Sequence, residues 1–144
     1  GEKFRQVPAE FEQIKTLFSG QLKRFGYLEN VADYHQLLGR CDVVLSTAIH
    51  EFQGVAVMEA VAAGCLPLVP NRLSYVEYIE QAYRYESDVD SPENEASAAV
   101  EKLLEMLGGT IDPLTMSRLF KRYSWSELIG SYRDKVLELA GKNT

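Results

Sequence analysis

Apolar residues recur at three- and four-residue steps near the start of the chain. Phe11, Ile14, Leu17, Phe18 and Leu22 share one face of a helix that Pro8 opens, with Glu10 and Glu12 in its first turn. Residues 24–28, R-F-G-Y-L, read as a short strand ending in the polar turn Glu29-Asn30. A second helix over 32–39 packs through Val31, Tyr34, Leu37 and Leu38, and Val43-Val44-Leu45 reads as a buried strand. Residues 55–63 are apolar on every side except at Glu59, which predicts a buried helix with one acid inside it. Residues 65–69, C-L-P-L-V, form the next strand. Pro67 within it implies an N–H side that faces no ladder partner, or pairing that begins late.

A turn at 70–72 leads to a short helix over 76–81, a brief strand at Arg84-Tyr85 and an acidic loop at 86–90. Ser91-Pro92 caps a helix over 93–107, with Ala96, Val100, Leu103, Leu104 and Leu107 on its apolar face and the charged run 93–105 in solvent. Asp112-Pro113 starts a further helix to Tyr123. Ser124 and Glu127 form a capping box for the last one, over 125–140. Strands alternating with helices give an α/β fold, a Rossmann-like parallel sheet flanked by helices. Ligands of such sheets bind beyond the carboxyl ends of the strands, where 29–30, 47–54 and 71–75 fall.

At 144 residues the chain fits one domain, and 46% hydrophobic with 25% charged is ordinary globular composition. No apolar run reaches the ~18 residues of a membrane span. A net charge of −6 argues against a nucleic-acid groove on this chain alone. Cys41 and Cys65 lack metal-ligand spacing and read as small core residues of a reducing, cytoplasmic compartment. The start at Gly1-Glu2-Lys3-Phe4, with no strand ahead of the first helix, suggests a piece of something longer.

The chemistry gathers in residues 46–64, S-T-A-I-H-E-F-Q-G-V-A-V-M-E-A-V-A-A-G. The helix over 55–63 is preceded by Gly54 and by no Ser, Thr, Asp or Asn, so its first N–H groups have no evident side-chain acceptor. A phosphate or other anion uses such a start. Glu51 lies in the loop ahead of it, and Glu59 stands about one and a half turns up, roughly 7–8 Å along the axis. Taken singly, Glu51 reads as a solvated loop charge, whereas Glu59 reads as a ligand group in preference to a buried acid paired with an unseen Arg or Lys. Together with the open helix start they suit an anionic ligand with hydroxyls at both ends, such as a nucleoside diphosphate sugar. His50 either hydrogen-bonds a phosphate or sugar or packs on the neighbouring loop. Tyr27 and Leu28 either line a base pocket or pack in the core. His35 reads as a surface residue and Trp125 as a packing anchor.

The run E-F-Q-G-V-A-V-M-E-A at 51–60 resembles the E-x7-E motif of the retaining glycosyltransferases of family 4, whose GT-B fold has two Rossmann-like lobes. Gly1-Glu2 resembles the end of that family's G-x-G strand, G-C-L-P-L-V at 64–69 its G-x-P-x-V strand, and Tyr123-Ser124-Trp125 the F-S-W that opens its last helix. Within the family, S-T-A-I-H-E-F-Q-G and P-N-R-L-S-Y-V-E (70–77) are similar to the tRNA-queuosine mannosyltransferase group. The resemblance covers nearly the whole chain as a C-terminal, donor-binding lobe. It implies GDP-mannose as donor, with no metal or other cofactor, and the queuosine of a tRNA as acceptor, held by an N-terminal lobe outside this chain. Glu59 would hold the ribose and Glu51 face the transferred sugar. Backbone at Gly54, Val55 and Ala56 would bind the diphosphate, with His50 beside them and the Tyr27-Leu28 turn at the nucleobase. Gln53 departs from the family's aromatic, and the Arg and Lys that neutralise the leaving diphosphate would precede Gly1. Two alternatives remain: a family-4 transferase with another nucleotide sugar and a glycan or lipid acceptor, and a non-catalytic nucleotide-binding or interaction module.

Overall fold

Strands β1 (Val43–Leu45), β2 (Leu66–Pro70) and β3 (Arg84–Tyr85) form a three-stranded parallel sheet in that order. The computed structural model describes residues 8–109 and 120–141, in two units: Gly1–Gln36 and Leu37–Thr144. Helices α1 (Ala9–Leu17) and α2 (Val31–Leu38) come first, and the unit boundary falls within α2. α3 (Val55–Ala62) connects β1 to β2, α4 (Tyr75–Tyr78) and a single 3-10 turn (Gln81–Tyr83) connect β2 to β3, and α5 (Pro92–Gly108) and α6 (Trp125–Gly141) follow. α3 packs on β1 and β2, and α5 on β2 and β3, so the sheet is flanked by helices in the Rossmann-like manner.

The central strand carries two prolines without losing its ladder. Leu66 donates its N–H to the Asp42 carbonyl at 2.8 Å, and Leu68 accepts from Ser46 N–H at 3.0 Å. Alternation therefore turns the nitrogen of Pro67 toward β3, whose pairing begins only at Val69. The nitrogen of Pro70 faces β1 beyond the end of that strand. Each missing donor falls where no acceptor waits, so pairing does begin late.

The core gathers Val57 and Val61 of α3, Leu68 and Val69 of β2, Tyr75, Ile79, Tyr83, Tyr85, Met106 and Phe120. Only one side of α3 takes part. Val57, Ala60 and Val61 are buried, whereas Val55, Ala56, Glu59, Ala62 and Ala63 are exposed. The expected all-round burial of this helix, with Glu59 inside, is therefore corrected: its outer face is made of small apolar residues open to solvent, and Glu59 stands on that face. β1 is an edge strand of the described sheet rather than a buried one, and Leu45 is exposed.

Other expectations also change. Residues 24–28 form no strand: Gly26 takes a left-handed φ of 94°, and Arg24 Nη2 donates to the Tyr27 carbonyl at 3.1 Å, closing a turn. In the same unit Phe11 and Phe25 meet edge to face, and Asn30 Oδ1 accepts from the N–H groups of Ala32 and Asp33, capping α2. Cys65 is buried as expected, but Cys41 is exposed, its Sγ directed at the Leu37 carbonyl of the turn before it. α4 is one turn long and ends at Tyr78, within the 76–81 range expected of it. Ser91 makes no side-chain cap, and Pro92 begins α5 at N1. Ser124 Oγ pairs with Ser126 Oγ at 2.9 Å instead of forming a capping box. Trp125 is exposed and meets Tyr132 of its own helix with ring centroids 6.0 Å apart. The expected helix from Asp112 lies for the greater part outside the described residues, as does the start at Gly1-Glu2.

α5 buries a stripe that shares only Leu103 with the one its periodicity suggested. Ala98, Ala99, Leu103 and Met106 pack on the core, while Val100, Leu104 and Leu107 are exposed. Truncation separates the two stripes. Met106→Ala is expected to cost about 2–5 kcal/mol in urea unfolding, and Leu104→Ala to stay within about 0.5 kcal/mol of the parent. A comparable loss at Leu104 would restore the stripe read from the sequence.

Candidate functional site

The loop from Ser46 to Gly54 leaves the carboxyl end of β1 and delivers the chain to α3. Among the described residues, no backbone–backbone hydrogen bond reaches residues 47–53. Side chains hold the loop instead. Ser46 is gripped twice: its carbonyl accepts from Tyr85 Oη at 2.7 Å, and its Oγ shares a 2.8 Å hydrogen bond with Tyr75 Oη. The Ala48 carbonyl accepts from Arg72 Nε at 3.0 Å, and the Gln53 carbonyl from Tyr78 Oη at 2.8 Å. Burial pushes the Tyr78 and Tyr85 hydroxyls up to about 12, so both keep their donor proton at neutral pH.

Gly54 closes the loop. Its φ of 71° is left-handed, and a Cβ there would collide with the Tyr78 hydroxyl and come within 2.9 Å of Tyr75 Cε1. Glycine meets both demands. Glu51 is half-buried and turns inward, its Oε1 accepting from Gly54 N–H at 2.8 Å and from Gln53 N–H at 3.2 Å. The carboxylate thus lies against the last amides before α3, and the helix itself begins with no side-chain cap and no acid in its first turn. An anion there would meet the positive end of the helix. Val55 and Ala56 are exposed beside it, as is His50 on the loop.

Glu59 lies further along the outer face of α3. It borders a cavity of about 440 Å³ with Met58, Ala62, Phe120 and Tyr123 as apolar walls and Lys121 and Ser124 among its polar groups. An apolar wall beside a carboxylate and a hydroxyl suits a sugar ring bearing a vicinal diol. The structure therefore brings Glu51, Gly54, Val55 and Ala56 to the start of α3, with Glu59 further along the same helix. Tyr27 and Leu28 belong to the first unit, where Tyr27 is exposed and Leu28 half-buried.

Arg72, Tyr75, Tyr78, Tyr85 and Glu95 also shape the site, although no role there was expected of them from the sequence. Arg72 and Glu95 form an ion pair with side chains only 12% and 13% exposed, through Nη1–Oε2 at 2.5 Å and Nη2–Oε1 at 2.9 Å. Nη1 also donates to Ser87 Oγ, and Asp88 N–H to Glu95 Oε2. Four of the five guanidinium donors are thus engaged within the protein, which makes Arg72 a staple rather than an anion clamp. The reading of 93–105 as wholly solvated is corrected at Glu95. Position was the available signal: Arg72 follows the carboxyl end of the central strand. Its partner lies 23 residues away on another element, beyond any periodicity. The pair forms one wall of a second cavity of about 210 Å³, with Thr47 and Ile49 from the loop.

The Arg72 hydrogen bonds hold the Glu95 carboxyl below its ordinary value of 4.5, overcoming the opposing effect of burial. A lowered folded value stabilises the protein above the unfolded value, and this contribution is lost as pH falls through the folded one. Urea midpoints followed from about pH 7 downward should fall more steeply below pH 4.5 in the parent than in Glu95→Gln. Equal slopes would show that the pair contributes nothing in that window. At neutral pH the variant, left with an unpaired guanidinium, is expected to lose about 3–5 kcal/mol.

Residues 5–118 match the family described as glycosyl transferases group 1. The chain is also 34% identical over 140 residues to the tRNA-queuosine alpha-mannosyltransferase of Drosophila melanogaster, an alignment covering 93% of this chain. It spans 35% of the length of that relative.

Proposed function

The chain belongs to the glycosyl transferases group 1 family, and from that premise we propose that it is the donor-binding lobe of a hexosyltransferase. The donor is GDP-mannose and the acceptor is the queuosine base of a tRNA, held by a second lobe. The relative's name supports the sugar and the acceptor, and the chain's 35% share of that relative leaves room for the second lobe. The observation that carries the reading is Glu51 resting on the amides of Gln53 and Gly54 at the uncapped start of α3, with Glu59 further along the same helix.

In this reading the diphosphate lies against the backbone of Gly54, Val55 and Ala56, where the helix N-terminus opposes the charge that grows as the sugar departs. Oε1 of Glu51 serves the backbone and Oε2 faces the transferred sugar, so the loop fixes the carboxylate before the donor arrives. Glu59 takes the ribose hydroxyls over the apolar wall of Met58 and Tyr123. His50 meets a phosphate or sugar oxygen. Transfer proceeds with retention at the anomeric carbon, and it needs the acceptor lobe, so the chain alone binds donor without turnover.

Calorimetric titration with GDP, UDP and ADP tests the donor. GDP should bind most tightly; preference for UDP or ADP would move the reading to another nucleotide sugar, and no binding to any would favour a non-catalytic interaction module or an incomplete lobe. Glu59→Ala should weaken GDP at least about tenfold, equivalent to about 1.4 kcal/mol. Unchanged affinity would remove the ribose role, and sugar transfer by this chain alone would overturn the two-lobe reading.

A further inference from the structure

The segment P-N-R-L-S-Y-V-E-Y that follows β2 carries sequence signal, yet none of its side chains has been given a part in binding. Its geometry supplies one. From this segment Arg72 reaches the Ala48 carbonyl, Tyr75 reaches Ser46, and Tyr78 reaches the Gln53 carbonyl. These three contacts touch the beginning, middle and end of the donor loop. An irregular loop without backbone partners takes its conformation from whatever satisfies its carbonyls. The Gln53 tether lies between the two amides that Glu51 accepts from, so the hydroxyl of Tyr78 sets where that carboxylate rests. The absence of a Cβ at Gly54 is what lets that hydroxyl come so close.

We propose that Arg72 and Tyr78 are positioning residues for the donor, fixing the loop over 46–54 in its binding geometry before the nucleotide sugar arrives. This rests on reading that loop as the donor site. Neither residue touches the ligand; both act through the backbone they hold. Arg72 is itself immobilised by Glu95 and Ser87, so the Ala48 carbonyl is tied to α5 and to the loop after β3. Tyr78 is fixed by its ring, edge to face with Tyr75, Phe120 and Tyr123 at centroid distances of 6.1, 5.8 and 6.3 Å. Because the ring is packed independently of the hydroxyl, Tyr78→Phe removes the tether and keeps the packing.

Hydrogen–deuterium exchange read by mass spectrometry, with GDP calorimetry on the same samples, tests the proposal on the intact chain. Tyr78→Phe is compared with the parent and with Tyr132→Phe, a control on exposed α6. Tyr78→Phe should speed exchange of the Gln53 and Gly54 amides, the two that Glu51 holds, several-fold and weaken GDP about fivefold or more, with the amides of β2 as protected as in the parent. Arg72→Lys keeps the charge and loses the fork, and should loosen 47–49 in the same way. Unchanged loop exchange in Tyr78→Phe would overturn the tether. Faster exchange with unchanged GDP affinity would overturn its part in binding. If the parent binds no nucleotide, the donor-site reading and with it the donor role fall, while the exchange result still decides whether these side chains hold the loop.

Discussion

A guanidinium placed where water scarcely reaches must find acceptors, and this requirement organises the carboxyl end of the sheet. Arg72 finds four, from the loop after β1, the loop after β3 and the first turns of α5. Elements that meet nowhere in sequence are thereby tied to one side chain. The tie is directional, because a planar fork fits a carboxylate in one orientation and leaves Nε pointing elsewhere, here at Ala48. The energetic consequence is asymmetric. The intact network has little net effect relative to an apolar substitute, whereas a broken one leaves a charge without compensation. Such a network specifies the arrangement of loops more than it adds stability.

The second organising fact is that α3 is one-sided. Val57, Ala60 and Val61 anchor it to the core, and the exposed residues of the opposite face, Val55, Ala56, Ala62 and Ala63, are small apart from Glu59, with half-buried Met58 at its flank. Small residues there let a ligand come close to the helix backbone along its first turns, and the lone acid gives that approach a direction. Group 1 glycosyl transferases are matched here over 5–118, a span that contains β1, α3 and β2 together. The two acids of the E-x7-E run differ in their surroundings. Glu51 is held by backbone amides, and Glu59 stands beside a cavity.

β1, α3 and β2 were legible because continuous apolar runs bounded by glycine and polar turns allow few alternatives. The strand expected at 24–28 failed because apolar residues and a tyrosine mimic a strand, while Gly26 and the Arg24 bond to the Tyr27 carbonyl make a turn. α5 shows a different failure. Both the stripe through Ala96, Val100 and Leu104 and the one through Ala99, Leu103 and Met106 are apolar at helical spacing, and only the sheet decides between them. For the site, the acids and the open helix start could be read from their types and positions. The tyrosine hydroxyls and the Arg72–Glu95 pair could not, since a hydrogen bond across 25 or 39 residues leaves no periodic trace.

The two prolines of β2 limit the ways in which this sheet can be misassembled. A slip of one residue in either direction would carry Pro67 into a position that now supplies an N–H to β1, leaving a β1 carbonyl without its donor. A slip of two in one direction would do the same with Pro70. Each such orphaned group costs about 1–3 kcal/mol, comparable to a sizeable share of a small domain's stability. The central strand therefore acts as a ruler with two notches, and the alignment it enforces sets the height at which β1 releases the loop carrying Glu51.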